Sequence, residues 1–146
     1  MSVPMGLRKR IVLAGVIVLS VSAATPMTAA AAVPLAASLA GAWNVTVVEY
    51  SQGGPFTRTG VFTYSSDGTG TVATSGGFTG ALDWQQSGSS ITFTFEHNLP
   101  AGGLAYGTEN GTISATTFTS TGTITTFDSN GDQTDSFEGD FSSTLQ

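Results

Sequence analysis

The chain has 146 residues, 40% of them hydrophobic, with four Lys or Arg, ten Asp or Glu, one histidine, no cysteine and a formal net charge of −6. The lack of cysteine excludes disulfide staples, thiolate chemistry and lipid anchors carried on cysteine. Only 10% of residues are charged, so the fold must hold by its core rather than by ion pairs.

The first segment reads as a targeting signal. Arg8, Lys9 and Arg10 form a positive cluster, an apolar run follows from Ile11 to Val21, and Ala30-Ala31-Ala32 fits the small-x-small rule of signal peptidase. This predicts a signal peptide over 1–32 cleaved after Ala32, with Val21-Ser22-Ala23 as the alternative site. The apolar run is shorter than the roughly 20 residues of a spanning helix, and Pro26 lies just beyond it. The expected destination is extracellular, by the general secretory route, with no membrane association after cleavage. Cleavage removes three of the four basic residues and leaves Arg58 against all ten acids, a net charge of −9. That balance argues against nucleic acid and anionic membrane surfaces, which need basic footprints.

After an alanine-rich lead-in over 33–40, expected to order from about Leu39, the text changes to threonine, valine, phenylalanine and glycine, which are strand and turn residues. Eight strands are predicted: 42–50, 56–66, 69–75, 78–86, 90–97, 104–114, 117–128 and 133–145. Asp67-Gly68, Ser87-Gly88 and Asn130-Gly131 predict two-residue hairpins, in which Asn-Gly and Asp-Gly suit two central residues of positive φ. Gly53-Gly54-Pro55 and Asn98 to Gly103 read as longer loops. Consecutive hairpins and eight strands give the expected fold: one all-β domain over 41–146, an antiparallel up-and-down barrel whose closure removes exposed edges. A two-sheet sandwich is the alternative.

Alternation assigns the faces. Trp43, Val45 and Val47 share one side of the first strand; Phe78, Gly80, Leu82 and Trp84 one side of the fourth; Ile91, Phe93 and Phe95 one side of the fifth; Phe137, Gly139, Phe141 and Leu145 one side of the eighth. One apolar face per strand marks a sheet wet on one side only.

Gly41-x-Trp43 at the start of the first strand resembles the Gly-x-Trp opening of the lipocalins and avidins, and the hairpin order of 39–145 is similar to theirs. The resemblance implies a calycin-type barrel with Trp43 closing one end. Two departures bear on function. Lipocalins usually lay an arginine or lysine of the last strand across that tryptophan, and 133–146 contains neither. Avidin-type biotin sites use several tryptophans, whereas here there are only Trp43 and Trp84.

Three functional readings follow. An eight-stranded barrel either fills with side chains or holds one small ligand. If hollow, the candidate ligand-binding residues are Trp43, Phe62, Tyr64, Trp84, Phe93 and Phe95, for a small apolar ligand bound non-covalently. Second, His97, the only histidine, follows Phe93 and Phe95 in parity, and Glu49 has the inward parity of the first strand. Together they are candidates for acid–base catalysis of the cyclase or isomerase kind known on similar barrels. Third, the Asn98-to-Gly103 loop, which carries Leu99, is a candidate protein-interaction or inhibitory surface. No cofactor is expected. Asp128, Asn130 and Asp132 have the 1-3-5 spacing of a calcium loop, but Gly131 falls at position 4 instead of 6 and Gly139 stands where the bidentate glutamate belongs.

Overall fold

The computed structural model describes residues 37–146. The expected signal peptide, both cleavage sites and the first residues of the lead-in lie outside the described residues.

Eight strands, β1 (Gly41–Ser51), β2 (Gly54–Tyr64), β3 (Thr69–Thr74), β4 (Thr79–Ser87), β5 (Ser90–Asn98), β6 (Leu104–Ser114), β7 (Thr117–Phe127) and β8 (Gln133–Leu145), follow one another around a closed barrel. Every pairing is antiparallel, and β1 closes on β8 from Trp43–Leu145 to Tyr50–Glu138. The single closed sheet replaces the sandwich alternative. Predicted strand ends lie within two residues of the observed ones, because the inside–outside alternation stops where the turn residues begin.

A two-residue hairpin forms after β4, where Ser87 pairs with Ser90 across Gly88 and Ser89, but the turns at Asp67-Gly68 and Asn130-Gly131 differ in kind from that expected form. At Asp67-Gly68, Gly68 N donates to Ser65 O (3.1 Å) and Ser65 N to Thr69 O (2.8 Å); at Asn130-Gly131, Gly131 N donates to Asp128 O (3.1 Å) and Asp128 N to Asp132 O (2.9 Å). Only the glycines have positive φ, +91° and +87°. Each loop is therefore a three-residue type I turn that ends on a left-handed glycine. At these two turns aspartates support the form. Asp67 Oδ1 accepts from Thr69 N (3.0 Å), and Asp128 Oδ1 accepts from Asn130 N (2.8 Å) and Asp132 N (3.0 Å), so each carboxylate organises the turn around itself. The same pair of backbone bonds closes Thr74–Phe78 and Leu99–Gly103.

The meander gives the barrel two unlike poles. The hairpins after β2, β4 and β6, the start of β1 and the end of β8 gather at one, and the hairpins after β1, β3, β5 and β7 at the other. The first pole is plugged. Leu39 and Trp43 are fully buried, Trp43 Nε1 donates to Leu39 O (2.8 Å), and the indole meets Phe118 edge-on with ring centroids 6.4 Å apart. Gln86 clasps the lead-in: its Oε1 accepts from Leu39 N (3.0 Å), and its Nε2 donates to Ala37 O and Gly88 O. The chain's own lead-in thus covers the tryptophan.

The interior is filled by rings. Phe93 packs against Phe62, Tyr64, Phe118 and Phe141 at centroid distances of 5.7–6.4 Å. Room for them comes from the facing wall of β6, β7 and β8, where Gly107, Gly111, Gly122 and Gly139 stand among the inward positions. A Cβ on Gly107 would lie 2.1 Å from Phe95 Cε1, so the ring occupies the space that a side chain would need.

Candidate functional site

Five of the six aromatic candidates, Trp43, Phe62, Tyr64, Phe93 and Phe95, are buried, and they pack on one another and on Phe118 and Phe141. Trp84 is half-buried beside the β2–β3 turn. Its Nε1 donates to Ser65 O (2.9 Å) and Thr69 O (3.1 Å), and its ring meets Tyr64 edge-on. Trp43 and Trp84 thus belong to the plugged pole, and Phe62 and Phe95 reach toward the other.

The chemistry-bearing side chains converge at that open pole. Alternation along β1 carries Glu49 inward at the rim, and the register sets Arg58 of β2 opposite Val47. Arg58 Nε donates to both carboxylate oxygens of Glu49 at 3.0 Å. The Glu49 side chain is 12% exposed and that of Arg58 41%. The guanidinium also sits 5.4 Å from the centre of the Phe78 ring, a cation–π approach. His97, at the end of β5, stacks on Phe78 (5.4 Å, 19° between planes) and on Phe95 (6.0 Å, 8°). Its Nδ1 lies 3.0 Å from Asn98 O. A carbonyl oxygen only accepts, so Nδ1 is the donor in this contact.

Glu49, Arg58 and His97 line two adjoining depressions. One, about 20 Å³, is floored by Val47, Phe62, Phe95 and Phe141. The other, about 50 Å³, is walled by Phe78, Leu99, Ala105 and Phe137. Drug-sized ligands occupy about 300–1,000 Å³, so these hollows take a group, not a whole molecule. Leu99, read as an exposed loop residue, instead turns in and packs against the core. Asp128, Asn130 and Asp132 share one hairpin loop, where the carboxylate of Asp128 is committed to backbone amides; these bonds, first from Asp132 and then from Asn130, hold it below the usual carboxylate range. Among the described residues no three His, Cys, Asp or Glu side chains form a metal-holding group.

The sequence reading gave Arg58 and Glu109 no place in a site and put Phe78 on an apolar face without its partners. Arg58 and Phe78 needed the register to bring them beside Glu49 and His97. Glu109 was legible: it alternates with Ala105, Gly107, Gly111 and Ile113, the inward positions of β6. It is fully buried, and burial first, then the charge of Asp140, pushes its carboxyl up to about 8.

No protein family, curated protein or solved structure matches the chain.

Proposed function

We propose that this is an exported, calycin-like barrel that binds a small, largely apolar ligand non-covalently across its open pole rather than inside it. One observation carries the reading: Arg58 and His97, the sole Lys or Arg and the sole histidine of residues 37–146, flank the same ring, Phe78, above an apolar floor. Convergent polar groups over an apolar surface are how small-molecule sites fix orientation. The filled interior limits the ligand to a group that dips between Phe62, Phe95 and Phe137 while its polar end meets Arg58 and the His97 Nε2.

Both tryptophans sit at the far pole, so intrinsic fluorescence is a poor reporter. Titration with decanol, decanoate and anilinonaphthalene sulfonate, followed by NMR of the His97 ring and the Arg58 Nε–H, reads the site directly. At least one probe should shift both signals saturably, and Arg58→Ala should weaken its binding. No saturable shift at His97 with any probe, or shifts centred on Trp84, would remove the reading.

A further inference from the structure

The ligand reading makes no use of Glu109, yet its setting is the least ordinary in the molecule. The side chain points inward from the middle of β6, between Phe93 of β5 and Gly122 of β7 in the register. It is 0% exposed, and neither carboxylate oxygen has a hydrogen-bond partner. A Cβ on Gly122 would lie 2.8 Å from Glu109 Cδ, so the carboxyl fills the gap which that glycine leaves. The hydroxyls of Tyr64, Ser120 and Ser143 are also buried without partners.

The groups around Glu109 oppose its ionisation. β5 presents Phe93, and β7 presents Gly122 and Ser120. β2 presents the Tyr64 phenol, itself pushed up by burial and then by Glu109. β8 contributes Gly139, level with Gly122 in the register, and from its outer face the like charge of Asp140. Arg58 is held at the open pole by Glu49. An ionised carboxylate with no partner is among the most unfavourable groups to bury, and it regains water only if the wall beside it parts. The wall here is β6, β7 and β8, where Gly107, Gly111, Gly122 and Gly139 put no side chain of their own inward.

We propose that Glu109 is a proton latch: the β6–β8 wall closes around the neutral carboxyl and opens when the proton leaves. The sign of the linkage is fixed. Unfolded, this carboxyl ionises near its ordinary 4.5; folded, near about 8. Its effect is absent below the lower value. As pH rises between the two, the folded state keeps a proton that the unfolded state has lost, and stability falls by tenfold in the unfolding constant per pH unit. The total is on the order of 1,000-fold, and it levels off above about 8.

The test begins with the intact protein: carbon-detected NMR of the Glu109 Cδ across about pH 3 to 10. A midpoint well above the ordinary carboxylate range is expected; a midpoint near that of an exposed glutamate overturns the latch whether or not any variant folds. Urea unfolding of Glu109→Gln should match wild type near pH 4 and pull ahead as pH rises, by on the order of 1,000-fold at about pH 8. Parallel profiles refute the latch. Amide exchange locates the opening. At about pH 9, Thr108 and Thr123 should exchange faster in wild type than in Glu109→Gln, while Thr46 and Thr59 on β1–β2 should not. Equal acceleration all round the barrel would refute an opening confined to this wall.

Discussion

Removing the lead-in up to Ala40 leaves every strand intact, so a chain beginning at Gly41 isolates the contribution of the plug. The structure supplies the magnitude. Leu39 is fully buried against Trp43, and losing such a side chain costs about 2–5 kcal/mol. Trp43 Nε1 loses its acceptor, Leu39 O, inside the barrel, and an orphaned buried donor costs about 1–3 kcal/mol. The clasp bonds from Gln86 to Leu39 N and Ala37 O go too, though their groups regain water. The sum, about 3–8 kcal/mol, rivals the roughly 5–15 kcal/mol that holds an ordinary domain. Thermal and urea melts should place the chain starting at Gly41 at least about 12 °C below one starting at Val33, at about 4–8 °C per kcal/mol. Adding Trp43→Phe to both chains isolates the indole bond, because the truncated chain then has no N–H to orphan and the coupling appears in the double cycle. A truncated chain that melts within a few degrees of the longer one would refute the plug and return residues 37–40 to the status of a tail.

Two further outcomes follow from the interior and the turns. Gly107→Ala should destabilise by about 1–3 kcal/mol through the Phe95 ring, and Phe95→Leu in the same background should recover part of the loss; additive melts would show that the ring and the glycine do not share that space. Asp128→Ala removes the acceptor of the Asn130 and Asp132 amides, so it should lower the melting temperature at neutral pH. Because the folded carboxyl is held below its ordinary value, that stabilisation is present above the unfolded value and is lost as acid protonates it, so the two melting curves should converge on acidification. Calcium should shift neither protein.

The sheet was readable because period-two alternation and turn residues carry the same information twice. Phe93 and Phe95 could face only one way once Thr92 and Thr94 faced the other. Turn geometry was less readable. Asp67-Gly68 and Asn130-Gly131 suit the two-residue hairpin as residue types, but each glycine stands third in a three-residue loop, where Asp67 bonds the amide two residues on and Asp128 those two and four residues on. The open pole was half visible: parity put Glu49 and His97 at strand ends, but Arg58 and Phe78 join them through pairings that no local pattern encodes. Whether the barrel was hollow could not be read strand by strand either, since the space taken by Phe95 belongs to Gly107 on the neighbouring strand.

The two poles have a practical consequence. Gln146 N donates to Ala42 O (3.0 Å) and its side-chain amide to Asn44 Oδ1 (2.9 Å), so the end of the chain lies beside the start of β1. A short glycine-serine joint could link the two ends, and the chain could be reopened in any of the four hairpins at the far pole without breaking a strand. Read as a scaffold, residues 41–146 form a filled barrel with both of their ends at one pole and four hairpins at the other, of which those after β1 and β7 carry neither Phe78 nor Leu99. Segments grafted into those two would be presented together, at the pole away from both ends.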